Sequence, residues 1–205
     1  VVVRRARYAA RMDEHERPAD RYPWVVVPGI WGSDAEHWQS RWQEARGGRA
    51  VRIAPASWSE PEPADWSRAI AEAVDRCARP PLLVAHSLGV LAVAEWLTGD
   101  AGQRAAERVA GAFLVAPPDP DAPVFPAAAA AFRAPQGAAT VPTALVVSDD
   151  DPYCSADRAL AFADVLGARV LRVGDRQHVN VASGVGAWPE GRHLLDGFAE
   201  SLPGA

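Results

Sequence analysis

The sequence predicts an α/β fold in three layers, with about six mainly parallel strands between two layers of helices and no large cap domain. Three observations carry that prediction. Short apolar runs such as WVVV at 24–27, LLVA at 82–85 and ALVV at 144–147 have the length of strands and are apolar at every position. That is the composition of strands buried on both faces. Between these runs lie stretches whose apolar residues recur at helical spacing. The alternation continues along the chain without an internal repeat or a linker, as in a parallel sheet joined by crossover helices.

The elements follow in order. Residues 1–22 are polar and mixed in charge, and read as a leader, disordered or loosely packed, ahead of a single domain at 23–205. The first strand, 24–29, is ended by Pro28-Gly29. A helix at 34–45 places Trp38 and Trp42 on one face, with Ser33 or Asp34 as its cap. A strand at 50–55 precedes a helix at 63–78, which has Pro63 in its first turn and apolar residues at 66, 70, 74 and 77. A buried strand at 81–87 runs into an apolar helix at 88–97, and the next strand is 111–117. The Pro- and Ala-rich segment 118–140 reads as irregular, with a short helix around 126–132. A strand at 143–152 ends in acids, a helix at 155–167 stops at Gly167, and a strand at 168–175 and a helix at 188–202 complete the pattern. Trp38, Trp42, Trp66 and Trp96 fall at core-facing positions of these helices.

Composition narrows the function classes. A length of 205 residues suits one domain with a substantial core. The net charge of −5, with bases interspersed among acids, gives no basic stripe for nucleic acid. All 21 basic residues are arginine, so no lysine is available as a Schiff base or catalytic base. No apolar run has the length of a membrane span, and no signal-peptide core follows the first residues. Cys77 and Cys154 have no ligand-like spacing and read as free thiols of a cytoplasmic protein. Five histidines without paired spacing make a metal site improbable. The sequence carries no signal of oligomeric state.

Chemistry in a parallel sheet gathers where the strands end. Those ends carry PGIWG after 24–27, HSLG after 82–85, DDDP after 144–148 and GDRQH after 169–173. A hydroxyl, carboxylates and an imidazole thus leave one edge of the sheet in the order Ser, Asp, His, which is the α/β-hydrolase order. Ser87 falls between a strand and a helix in A-x-S-x-G, where Ala85 replaces the first glycine of the usual G-x-S-x-G motif and Gly89 keeps the second. The alternative for Ser87 taken alone is a helix cap only. His178 is the candidate base, and Asp149, Asp150 and Asp151 compete to orient it. Asp151 is favoured because Pro152 stiffens its turn, Asp149 and Asp150 read as solvated or capping, and Asp175 is too near His178 in sequence. The backbone N–H of Leu88, with that of Ile30 or Trp31, is the expected oxyanion donor pair. His86 reads as structural and His37 as packed or hydrogen-bonded. The pocket is expected from 118–140 and the loops 30–34 and 184–188, with Trp31 and Trp188 as candidate pocket residues. Asn180, Ser183 and Gly184 are expected to shape the histidine loop.

The stretches PGIWGSDAEHWQSRW, VAHSLG, SDDDPY and RQHVNVASGVGAWPEG resemble the small serine-hydrolase family of the α/β-hydrolase superfamily, which includes the retinoblastoma-binding serine hydrolase and many small bacterial esterases. The resemblance covers about residues 23–202, and its most specific part is the H-x-N-x-x-S-G-x-G-x-W-P-E-G pattern beginning at His178. It implies a compact α/β-hydrolase, a Ser87–His178–Asp151 triad, a small-molecule ester or acyl substrate and no cofactor. Gln177 stands where the family has glycine. The expected activity is hydrolysis of a carboxylic ester, amide or thioester. The alternatives are an acyl transferase or cyclase with the same triad, and a non-catalytic binding protein on the same fold.

Overall fold

The computed structural model describes residues 17–99 and 108–203. Six strands form one sheet in the order β2-β1-β3-β4-β5-β6, every pair parallel. They are β1 (Trp24–Val27), β2 (Ala50–Arg52), β3 (Leu82–His86), β4 (Gly111–Val115), β5 (Thr143–Val147) and β6 (Arg169–Arg172). The described α-helices are α1 (Trp38–Arg46), α2 (Pro63–Asp75), α3 (Leu88–Thr98), α4 (Ala156–Leu166) and α5 (Pro189–Glu200). None is long and apolar enough to cross a membrane.

The apolar runs form strands because side chains alternate across a sheet, and here both faces are covered. Val25, Val27, Leu83, Ala85, Leu114 and Leu145 join one core cluster, with Trp66 and Ile70 of α2, Leu91 of α3 and Phe162 of α4. Their neighbours Trp24, Val26, Val84, Phe113 and Val146 join a second cluster, with Trp38 and Trp42 of α1 and Phe198 of α5. This division follows from right-handed crossovers. The chain moves outward from β1 to β2, then reverses to β3 and continues to β6. The helix of the first move lies on one face and those of the later moves on the other.

Local sequence sets the helix ends. Pro63 and Pro189 begin α2 and α5, where no intrahelical N–H is needed. Ser155 accepts from the Arg158 N–H at the start of α4, and Gly167 ends it with a left-handed φ of 64°. The regular part of α1 begins later than 34. The Asp34 carboxylate accepts from the N–H groups of Glu36 and His37 and makes that stretch a turn, and His37 then caps the helix through Nδ1. The short helix expected near 126–132 is a 3-10 turn over Ala127–Ala129.

The described residues of the expected leader pack against the sheet. Pro18–Arg21 forms a 3-10 turn, and Ala19 is buried and accepts from the Trp24 indole N–H. Arg46 and Arg192 both pair with Asp20, and both guanidinium groups lie over the Trp24 ring. The remainder of the expected leader, 1–16, lies outside the described residues.

The reversal of strand order between β1 and β3 positions the site, because loops leaving neighbouring strands in opposite directions open a crevice there. Val27 pairs with Ala85, so the ends of β1 and β3 stand side by side. Gly89 makes this possible: a Cβ at that position would lie 2.3 Å from the Val27 carbonyl oxygen and 2.6 Å from that of Pro28. Gly89→Ala is therefore expected to cost about 1–3 kcal/mol of unfolding free energy and to displace the start of α3. Gly48→Ala, at a glycine with nothing within 4 Å of an added Cβ, is the control. Denaturation of the two variants side by side checks this, and equal stabilities would refute the packing argument.

Candidate active site

Ser87 is the single residue between β3 and α3, with φ 55° and ψ −128°. That left-handed backbone is strained for a residue with a side chain. It is held by the Ser87 N–H donating to the Val115 carbonyl at 3.0 Å. Gly29 completes the seat, since a Cβ there would lie 2.8 Å from the serine Cβ. The hydroxyl makes no capping bond to α3. It lies 2.8 Å from Nε2 of His178 instead.

His178 Nδ1 lies 3.0 and 2.9 Å from the two oxygens of Asp151. A carboxylate only accepts, so Nδ1 donates and Nε2 is left to accept from the serine hydroxyl. The two side chains are 8% and 3% exposed, so water competes little for this pair. Asp151 Oδ1 also accepts from the Tyr153 N–H, which fixes the carboxylate.

The other acids are occupied elsewhere. Asp149 pairs with Arg172 at 2.6 Å, and Asp175 is exposed. Asp150 is more than a solvated or capping residue. It accepts from the Gln177 N–H at 2.6 Å and from the Ser148 hydroxyl at 3.0 Å. The Gln177 bond, ahead of the weaker opposing effect of burial, holds its carboxyl below the usual range.

The histidine loop needs such anchors. Gln177 and Val179, on either side of His178, have φ values of 45° and 49°. Each such residue costs about 1–3 kcal/mol and persists only where its surroundings impose it. His86 Nε2 donates to the His178 carbonyl at 2.9 Å, and the Trp38 indole donates to the Val179 carbonyl at 2.9 Å. Trp42 donates to Ala187 at 2.8 Å. Asn180 accepts from both the N–H and the hydroxyl of Ser183, which shapes the end of the loop. The two tryptophans of α1 thus carry more than packing: they tie that helix to the loop.

Two further imidazoles line the site. The His37 and His86 ring centroids are 4.8 Å apart, and those of His86 and His178 are 5.0 Å apart. Burial pushes His37 down to about 4, outweighing the opposing pull of Asp34. Burial, with His178 and His37 nearby, pushes His86 well below its ordinary value. Both rings are neutral at pH 7, so they add no fixed positive charge beside His178.

The Leu88 and Ile30 N–H groups, the expected oxyanion donors, make no hydrogen bond among the described residues, and both residues line the cavity over Ser87. Trp31 is excluded as a donor because its N–H donates to the Trp58 carbonyl at 2.8 Å.

A cavity of about 710 Å³ opens over Ser87. Its walls include 29–32, Pro118, 124–129, Tyr153 and 180–182. Trp31 lines it. Trp188 does not: it is 2% exposed, parallel to Trp42 at 5.9 Å, and covers Gly191, where a Cβ would meet its ring. Its indole is drawn into the aromatic core under α1, and the 184–188 loop contributes no wall. The sequence reasoning missed Tyr153, whose ring lies 4.5 Å from that of His178. Its position two residues after Asp151 was the available signal. Cys154 is buried, and burial, reinforced by Asp119 and Asp151, pushes its thiol up to about 12. It stays a thiol at neutral pH and is poorly suited to act as a nucleophile. Among the described residues no group of three His, Cys, Asp or Glu is placed to hold a metal ion.

A family model described as serine hydrolase matches residues 24–197. A solved structure described as a YdeN-like hydrolase from Pectobacterium atrosepticum is 32% identical, with 88% of this chain and 92% of that chain covered and a TM-score of 0.73. The ydeN gene product of B. subtilis is 19% identical over 87% of this chain and 98% of its own, with a TM-score of 0.68. Esterase 2 of Thermogutta terrifontis is 16% identical over 90% and 85%, with a TM-score of 0.58. The last two likenesses bear on the fold alone. No curated protein matches the chain.

The neutral histidines have a consequence for stability. Between pH 6.5 and about 4 the unfolded chain protonates its histidines, while folded His37 does not. The unfolded state then binds more protons, so stability falls as the pH drops through that window. For His37 the loss approaches roughly 3 kcal/mol, and His86 acts in the same direction. Asp150, with its carboxyl below 3.8, contributes only at lower pH. Urea denaturation at pH 7, 5.5 and 4.5 is expected to show the fall, with a flatter profile in His37→Gln. An unchanged profile in that variant would remove His37 as a source.

Proposed function

Because the chain belongs to the serine hydrolase family, we propose that it cleaves a carboxylic ester, with amides and thioesters as related acyl substrates, through an acyl-enzyme on Ser87. The observation that carries this reading is the hydrogen-bonded chain from Ser87 Oγ through both nitrogens of His178 to Asp151. Its geometry suits general-base activation of a hydroxyl.

Ser87 Oγ attacks the acyl carbon as His178 Nε2 takes its proton. The carbonyl oxygen becomes an oxyanion facing the N–H groups of Leu88 and Ile30, helped by the positive end of α3. Collapse breaks the bond to the leaving alcohol, which receives the proton from His178. Water then repeats the sequence, releasing the acid and free Ser87. Asp151 keeps the imidazole in one tautomer and stabilises its cation, while neutral His37 and His86 leave that cation unopposed. The substrate is a small molecule reaching Ser87 through the cavity.

Labelling with a fluorophosphonate followed by peptide mapping tests the nucleophile. A single adduct on Ser87, lost in His178→Ala, is the expected result. An intact, folded protein without adduct would refute the reading and favour a binding role. Ser87→Ala is expected to reduce turnover of an aryl ester to background. Asp151→Asn is expected to lower kcat by roughly three to four orders of magnitude through the wrong tautomer. Steady-state kinetics on both variants check this, and turnover within tenfold of the parent would exclude the assigned roles.

A further inference from the structure

We propose that the substrate is an uncharged ester with a bulky apolar portion, whose size is set by the wall at Ala127 and Ala128. This rests on the acyl-enzyme reading and adds to it the class of substrate.

The first observation is charge. Among the described residues no arginine lines the cavity. Among the described residues, the one formally charged residue of the lining apart from the histidines is Asp34, which is already engaged with two backbone N–H groups. An anionic substrate would be desolvated beside a carboxylate with no cation to receive it, and that is unfavourable. The second observation is the mouth. Five large hydrophobic side chains are exposed among the described residues, and four of them line this cavity: Trp31 at 68%, Val124 at 55%, Val181 at 43% and Tyr153 at 37%. Exposed apolar groups gathered round one opening mark a place where apolar surface is covered in use. The third is the wall. The 3-10 turn after Pro126 lies along the cavity, with Ala127 and Ala128 exposed and Ala129 buried in the core, and methyl groups as small as those at 127 and 128 fill little of the space. A volume of about 710 Å³ is in the range for a drug-sized ligand and far beyond an acetyl group.

The test compares three 4-nitrophenyl esters below their solubility limits: the acetate, the octanoate and the monoester of octanedioic acid. The last has the octanoate's length and a terminal carboxylate. The octanoate is expected to exceed each of the other two by at least tenfold in kcat/KM. Ala128→Trp, an exposed position where a large ring can enter the cavity, is expected to lower the octanoate-to-acetate ratio at least tenfold. Val124→Ser is the second variant and is expected to lower the same ratio at least threefold, so the test survives if Ala128→Trp fails to fold. Acetate turned over as well as octanoate, a monoester turned over as well as octanoate, or ratios unchanged in both variants would each overturn the proposal. Absence of turnover with every ester and of a fluorophosphonate adduct on Ser87 would overturn the acyl-enzyme reading itself. An adduct with the wrong ester preference would overturn only the substrate class.

Discussion

The close contact between the end of β1 and the turn at Ser87 is the constraint on which the rest of the site depends. Ser87 holds a backbone conformation that side chains avoid, and it does so with its Cβ against Gly29 and the next turn of chain against the Val27 and Pro28 carbonyls. No larger residue fits at Gly29 or Gly89 without moving backbone. The tightness gives a fixed direction for the hydroxyl and sets Ile30 and Leu88 at the edge of one cavity. Interiors are packed so closely that this arrangement cannot drift. A parallel register between β1 and β3 supplies the proximity, and the reversal of strand order supplies the crevice.

The second strained element is the histidine loop, and the molecule pays for it with hydrogen bonds drawn from distant segments. Asp150 and Ser148 hold its start, His86 from the end of β3 holds the His178 carbonyl, and Trp38 from α1 holds the Val179 carbonyl. Residues 86 and 87 therefore serve opposite sides of the same base. The even-numbered face of β3 secures the loop that carries His178, while the turn that follows presents the hydroxyl to its ring. The aromatic cluster of Trp38, Trp42 and Trp188 backs this arrangement and joins α1 to the start of α5.

Electrostatics and apolarity act together around the base. His37 and His86 are buried deeply enough to stay neutral, so three imidazoles sit within a few ångströms without mutual repulsion in the resting state. The cavity they border is otherwise lined largely by apolar residues.

The sequence by itself determined the layers, the strand count and the edge of the sheet at which chemistry gathers. Wholly apolar strands and amphipathic helices have local periodicities that survive without tertiary context. Ser87, His178 and Asp151 were legible for the same reason: each follows an apolar run, and A-x-S-x-G and DDDP are contiguous. What only the tertiary structure decided are relations between distant segments. Trp188 sits in a loop by sequence, yet stacking on Trp42 removes it from the cavity. Asp150 looked like a capping acid until the Gln177 N–H arrived at its carboxylate from 27 positions away. The Trp31 N–H ceased to be an oxyanion donor only because the Trp58 carbonyl occupies it. The start of α1 shifted because the Asp34 carboxylate found nearer backbone partners. Hydrogen-bond partners, ring stacking and the walls of a cavity depend on which segments meet, and linear spacing does not encode that meeting.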